Sequence, residues 1–282
     1  MGVASLPPPG SLFNEKMLEP RVHRSAPAGI MFRSAFMQET YGIVDVKSFE
    51  HDWQRLSSNH RVENRSAYLL DQRWLAKSGS FPAKMRAILE SSSGLNDALT
   101  PVFAVAEHIA ILDTLTAPSR TDLMVYCKKK RGTAVVGIEA KCDEPFDKRV
   151  AWWVRDADSR VDYRDFPVRN SRARRLRFLG DLLGFQVHHD SMLRYQLLHR
   201  TVAILLEARR IQASTAVVVI YAFSESKENW ADYRAFAEQL GFGCPEPDSI
   251  SSAMYLPAFP EVGLHLAWIY DLPNQERPGS GH

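Results

Sequence analysis

The sequence predicts an α/β fold in which a mixed central β-sheet is flanked by helices, with a helical addition on its N-terminal side. Two β-rich runs around a charged turn, DLMVYC and TAVVGIEAKC, indicate a hairpin whose turn ends at Gly132. The continuous apolar, β-branched run at 215–223 indicates a central strand buried on both faces. Long helical patterns at 171–183 and 191–212 lie between these strands and favour helices on both faces of the sheet.

Two helices precede the hairpin in this interpretation. Apolar residues recur at helical spacing from Ser66 to a break at Gly79, and Pro82 stands near the start of a second helix, where proline is tolerated. Residues 102–112 suit either a strand or a helix. A helix opened by Asn229 and closed by Gly241 precedes a last strand at 262–270. The chain therefore divides into a flexible extension at 1–45, a helical cap at 46–98, a core at 99–270 and a flexible tail at 271–282.

The composition is that of an ordinary globular protein. Hydrophobic residues make up 45% of the 282 positions and charged residues 24%, and the net charge is +2. This charge is too small to argue for nucleic acid, so any basic surface must come from local clustering. Three cysteines without CxxC spacing argue against a disulfide framework or a zinc site, and no apolar run reaches the ~20 residues of a membrane span. We expect a cytoplasmic protein without a membrane segment; its oligomeric state stays open.

The second strand of the hairpin carries the residues most suited to chemistry. Side chains alternate along TAVVGIEAKC, so Glu139 and Lys141 point to one side, whereas Ile138 and Ala140 point to an apolar side. Asp122 opens the preceding strand, and the hairpin register can bring its carboxylate beside that of Glu139. Two carboxylates and the Ala140 carbonyl form a hard oxygen site suited to Mg²⁺ or Mn²⁺. The alternative is an exposed strand face with a solvated Glu139–Lys141 ion pair.

These groups suit the hydrolysis of a phosphoester. A metal held by Asp122 and Glu139 would polarise a phosphoryl oxygen and help to generate hydroxide from bound water. Lys141 can orient that water or stabilise charge in the transition state.

The same residues carry a family resemblance. Asp122 followed by GIEAK is similar to the D…ExK signature of the PD-(D/E)XK superfamily, which includes many restriction endonucleases and repair nucleases. GIEAKCDEPF and RYQLLHRT also resemble an uncharacterised bacterial family with a nuclease-like fold, over about 66–270. The resemblance implies a restriction-endonuclease-like core and a metal-dependent nuclease, with DNA the favoured substrate and Asp122, Glu139 and Lys141 as catalytic residues. The alternative is a catalytically inactive binding or assembly module with the same fold.

Two positions depart from the superfamily pattern. Pro118 lies four residues before Asp122 rather than next to it, and the further acid often found on an earlier helix has only Glu107 as a candidate. A charge in the apolar run around Glu107 is costly unless it is paired or functional. We expect Glu107 to assist catalysis; the alternatives are a salt bridge near His108 or exposure at a strand end.

The predicted helix 191–212 groups polar residues within two turns. Gln196 and Arg200 share one face, and Tyr195 and His199 are their neighbours. In several PD-(D/E)XK nucleases a helix after the ExK strand contributes a polar residue near the scissile phosphate. The resemblance therefore makes Gln196 a catalytic candidate; a polar helix face that caps the sheet edge is the alternative.

A basic segment follows the hairpin. Residues 148–177 hold ten basic side chains against four acids, with Trp152, Trp153 and Tyr163 among them. Basic groups interleaved with aromatics suit phosphate contacts and base stacking, although such segments are often solvated surface. The sequence predicts nucleic-acid contacts by Arg169, Arg172, Arg174, Arg175 and Arg200.

Overall fold

The computed structural model describes residues 43–45, 66–75, 80–92, 95, 99–113, 116–155 and 171–272. Of the predicted N-terminal extension, only 43–45 belong to this part, and they form a strand. Residues 1–42, Arg169 and the predicted tail from 273 onward lie outside the described residues.

Helices and strands alternate along most of the described chain, which confirms the predicted mixed α/β class. In chain order the elements are β1 (Ile43–Asp45), α1 (Ser66–Leu75), α2 (Ala83–Ser91), β2 (Thr100–Ala110), β3 (Ser119–Lys128), β4 (Thr133–Lys141), α3 (Val150–Arg155), α4 (Ser171–Leu183), α5 (Tyr195–Arg210), β5 (Thr215–Ala222), α6 (Lys227–Leu240), β6 (Ser249–Ile250), β7 (Met254–Leu256) and β8 (Phe259–Tyr270). None of these helices combines the length and the apolar character that crossing a bilayer requires.

The described strands form one mixed sheet in the order β1-β2-β3-β4-β5-β8-β6, with β7 paired to β8. Neighbours from β1 to β4 are antiparallel, whereas β4 with β5 and β5 with β8 are parallel. Every residue of β5 is buried, as predicted for a central strand with both faces covered. The ambiguous run at 102–112 belongs largely to strand β2.

Helices cover both faces of the sheet. On one face, Trp74 of α1 and Met85 of α2 belong to the same apolar cluster as Ile138 of β4, so the described part of the helical cap packs directly on the sheet. On the other face, the apolar side chains of α4, α5 and α6 pack against the alternate residues of the strands. Strand alternation thus divides the protein interior into two cores.

The start of α6 corrects one prediction. Ser226, not Asn229, caps this helix: its hydroxyl accepts a hydrogen bond from the Asn229 amide at 3.2 Å. The Asn229 side chain instead donates to the Glu144 carbonyl at 2.9 Å, an acceptor distant in sequence. Gly241 ends the helix as predicted, with φ 94°.

A missing side chain sets the distance between α5 and the sheet. A Cβ added to Gly137 of β4 would lie 2.2 Å from the Ile204 Cδ1 atom of α5. Only glycine therefore allows the helix to pack this closely against β4.

We expect Gly137→Ala to lower the free energy of unfolding by about 1–3 kcal/mol, because Ile204 must leave its packed position. Equilibrium urea denaturation measures the change. Gly263→Ala is the control, since its added Cβ would meet the nearest atom at 3.4 Å. Equal losses in the two variants would contradict a close approach at Gly137.

Candidate active site

Strands β3 and β4 stop pairing before either strand ends. Their ladder runs from Lys128 opposite Thr133, beside the turn, to Leu123 opposite Ile138. Beyond that pair, β3 remains bonded to β2 and β4 remains bonded to β5. We call the region formed by residues 119–122 of β3 and 139–141 of β4 the fork. Asp122 and Glu139 are the first residues of the fork.

The Asp122 carboxylate lies against the backbone of β4. Its Oδ2 atom accepts a hydrogen bond from the Ala140 amide at 2.8 Å, so a side chain replaces a backbone acceptor where the ladder ends. The Ala140 side chain belongs to the core beneath α1 and α2, as does that of Ile138. The predicted alternation is therefore confirmed, and the hairpin brings Asp122 next to Glu139 along β4.

Glu139 is buried and fully hydrogen-bonded. Its Oε1 atom accepts from Lys141 Nζ at 2.9 Å and from Gln196 Nε2 at 2.6 Å. Its Oε2 atom accepts from Arg200 Nε at 2.7 Å. Because the Glu139 side chain is only 4% exposed and that of Lys141 6%, the pair is not a solvated surface ion pair. Such a buried charge requires this full set of partners.

Helix α5 supplies two of these partners from neighbouring turns. Gln196 and Arg200 share one helix face, as predicted, and this face covers the fork. The Gln196 Oε1 atom also accepts from the Asp147 amide at 3.1 Å, which fixes the amide so that its nitrogen donates to Glu139. Arg200 reaches β3 as well, where its NH1 atom donates to Ser119 Oγ at 2.9 Å.

The surroundings of the fork shift the pKa values of its two carboxylates in opposite directions. Burial and the adjacent Glu139 charge raise the pKa of Asp122 to about 8, although Lys141 and Arg200 oppose this rise. Burial also favours a protonated Glu139, but Lys141 and Arg200 outweigh it and lower the pKa of Glu139 to about 2. Glu139 is therefore the more acidic of the two carboxylates.

Glu107 lies opposite Asp122 in strand β2. It falls between the pairs Ala106–Leu123 and His108–Thr121, and its φ of 51° is a left-handed conformation that is uncommon outside glycine. Its charge contributes to raising the pKa of Asp122, and its Oε2 atom lies 3.8 Å from Arg120 NH1. The structure thus brings Glu107 to the fork from a strand rather than from a helix.

The donor atoms at the fork suit a small divalent cation. Among the described residues, no group of three or more His, Cys, Asp or Glu side chains could hold a metal ion. The predicted ligands are therefore two carboxylates, Asp122 and Glu139, with the Ala140 carbonyl. Mg²⁺ typically uses one or two protein carboxylates together with waters and substrate phosphates, so this set fits Mg²⁺ or Mn²⁺. The raised pKa of Asp122 would oppose the ionisation that metal binding requires, and Glu139 would have to exchange a hydrogen bond.

Ser119 and His199 are two residues of the site that sequence reasoning missed. The Ser119 hydroxyl accepts from Arg200, and His199 Nδ1 lies 2.9 Å from the same oxygen. The hydroxyl has one proton and two lone pairs, so whether it donates to Nδ1 or accepts from an Nδ1–H group is set by the imidazole tautomer. Burial and the Arg200 charge lower the pKa of His199 well below its usual value, so the ring is neutral. No sequence signal marks Ser119; His199 was recognisable only as a neighbour of Gln196.

The arginines that were predicted to contact nucleic acid lie in different environments. The prediction for Arg175 is wrong, because this residue is only 1% exposed. Its Nε and NH2 atoms donate to the two carboxylate oxygens of Asp113 at 2.5 and 2.7 Å. A guanidinium paired in this way inside the protein does not contact a polymer. Arg174 is exposed on α4, and Arg172 is partly buried against Trp153. Arg200 lies at the fork, paired with Glu139.

A cleft of about 560 Å³ opens beside the fork. Gln196, His199 and Arg200 line it from α5, and Arg120 and Arg172 line it from β3 and α4. The cleft and the fork therefore share the polar face of α5.

The chain matches the sequence profile of one known protein family. The profile of a family described as "Domain of unknown function (DUF6946)" matches residues 45–272, which is most of the chain. The chain belongs to this family. No curated protein and no solved structure matches it. The DUF6946 domain begins at the last residue of β1 and ends just after β8, so it includes the whole fork and the described lining of the cleft.

The neutral state of His199 predicts a loss of stability in acid. In the unfolded chain His199 takes up a proton near pH 6.5, whereas the pKa of the folded residue lies well below that value. The stability it contributes is therefore present above pH 6.5 and is lost as pH falls toward the folded pKa, by at most about 1.4 kcal/mol per pH unit.

His199→Asn, which keeps a polar atom near the Nδ1 position, is expected to weaken this dependence. Burial also lowers the pKa of His108 and His265, so the readout is the difference between wild type and variant in urea denaturation at several pH values. A difference that does not change between pH 7.5 and pH 5 would contradict a neutral His199.

Proposed function

We propose that this DUF6946 protein is a metal-dependent nuclease that hydrolyses phosphodiester bonds in nucleic acid, with DNA the favoured substrate. The observation that carries the proposal is the meeting of Asp122, Glu139 and Lys141 at one fork in the sheet. The D…ExK resemblance assigns roles to the same residues, and the neighbouring cleft is lined with arginines. The family match itself names no activity.

Lys141 acts as a fixed cation in this proposal. Burial lowers its pKa, but the charges of Glu139 and Asp122 outweigh burial and raise the pKa above its usual value. A lysine that keeps its proton is not a general base. Its N–H groups instead orient the attacking water and stabilise negative charge on the phosphoryl oxygens in the transition state.

The other residues hold this cation and the metal ligands in place. Gln196, oriented by the Asp147 amide, positions the Glu139 carboxylate. Arg200 balances the Glu139 charge and lies at the border of fork and cleft, where a phosphate would arrive. Mg²⁺ or Mn²⁺, held by Asp122, Glu139 and the Ala140 carbonyl, would supply the Lewis acid and lower the pKa of bound water.

The test is cleavage of labelled single- and double-stranded DNA with Mg²⁺ or Mn²⁺. We expect Asp122→Asn and Lys141→Met each to reduce the metal-dependent rate by about 100-fold or more, because each removes a group that acts on the reacting phosphate or its metal. Asp143→Asn is the matched control, since Asp143 is an exposed carboxylate two residues after Lys141. Robust cutting by both site variants, with melting temperatures confirming their fold, would remove the proposal.

A second candidate is a binding or assembly module that keeps the fold but does not catalyse a reaction. The observation that favours it is the complete pairing of Glu139: both oxygens already have protein donors, and the described residues hold no three-ligand metal group.

Thermal melting with Mg²⁺ or Mn²⁺ separates the two candidates. The nuclease proposal predicts stabilisation of about 2.7 kcal/mol at a metal concentration 100 times Kd, because only the folded state binds the ion. It also predicts that Glu139→Gln abolishes the shift. Unchanged melting of the wild type would favour the module.

A further inference from the structure

The cleft beside the fork has a lining rich in arginine. Three arginines line it: Arg120, Arg172 and Arg200. Among its lining residues Asp147 is the single acid, and its backbone amide is bound to Gln196. Arginine forks bind phosphate oxygens in pairs, so this lining suits a phosphate group. Of the described arginines in the basic segment 148–177, Arg172 alone lines the cleft. The proposal for the cleft therefore does not require the rest of the segment to be a basic surface.

One wall of the cleft is a row of planar groups, and the last of them, His199, is tilted by 48° from its neighbour Tyr195. The Arg172 guanidinium lies over the Trp153 ring at 4.9 Å, and Trp153 stacks on Tyr195 with centroids 3.8 Å apart and planes 13° apart. The His199 ring follows at 4.7 Å from Tyr195. Each member restricts its neighbour, so Arg172 and His199 are held before any ligand arrives. Such preorganisation reduces the entropic cost of binding.

The size of the cleft limits its occupant. A volume of about 560 Å³ falls within the range of about 300–1,000 Å³ that is typical of small-molecule sites. One nucleotide is a ligand of that size, whereas a stacked base pair within a duplex does not enter such a space. Enzymes that act inside pockets of this kind receive the nucleotide outside the helical stack.

We propose that the cleft binds one unpaired nucleotide with its phosphate, so that the substrate is a single strand or a frayed end rather than an intact duplex. Arg120 and Arg172 contact the phosphate, and His199 lines the cleft beside them. Arg200 and Gln196 connect this position to the fork. Binding to the cleft does not depend on the proposed function. Only the next step rests on it, in which Asp122 and Glu139 at the adjacent fork act on the bound strand.

The experiment measures binding without cleavage. Fluorescence anisotropy in EDTA compares a labelled short oligothymidylate with a blunt hairpin duplex that has the same number of phosphates. We expect the single strand to bind at least about tenfold more tightly. Arg120→Ala should weaken single-strand binding about tenfold and reduce the slope of log K against log salt by about 0.7. Arg131→Ala is the matched control and should change little, because Arg131 is an exposed arginine in the turn between β3 and β4 and does not line the cleft.

Several outcomes would overturn the assignment. These are equal affinity for strand and duplex, equal effects of Arg120→Ala and Arg131→Ala, and competition by inorganic phosphate as strong as that by the oligonucleotide. The last result would indicate a site that recognises phosphate alone. Preferential strand binding without any cleavage would support the inference while removing the nuclease proposal. Cleavage of intact duplex as fast as single strand would do the reverse.

Discussion

A negative charge buried at the end of a strand is the constraint on which this structure depends. Removing a carboxylate from water costs several kcal/mol unless opposite charges and hydrogen bonds replace the lost hydration. Glu139 meets this requirement with Lys141 from its own strand and with Arg200 and Gln196 from α5. Helix α5 consequently has one acceptable position on the sheet, and Gly137 lets it come close enough to occupy that position.

The part of the site that sequence reasoning predicted is the part governed by local geometry. Side chains of a strand alternate whatever packs against them, so Glu139 and Lys141 were correctly assigned to one face. The hairpin brings Asp122 to β4 because a short turn leaves little freedom in register. Gln196 was singled out because its helix was recognisable, and in the structure its side chain donates a hydrogen bond to Glu139.

What sequence reasoning missed depends on partners far along the chain. An arginine-rich run has the same pattern whether a given guanidinium faces solvent or a buried acid, so the prediction for Arg175 was wrong once Asp113 proved to be its partner. Arg200 was expected to contact nucleic acid, yet its first partner is Glu139. Ser119 acquires a role only because α5 crosses the start of β3, a packing relation that periodicity does not encode.

The fork also affects how firmly the two halves of the sheet are joined. Beyond the Leu123–Ile138 pair the sheet becomes two leaves, one continuing through β2 and the other through β5. The links that the described fork residues make between these leaves run through side chains: Asp122 holds the Ala140 amide, and Arg200 grips Ser119 on one leaf and Glu139 on the other. Backbone ladders resist separation regardless of charge, but these links last only while the charges balance. Loss of the negative charge on Glu139 would therefore weaken the links at the fork. That end of the sheet would loosen, while the hairpin end would stay paired.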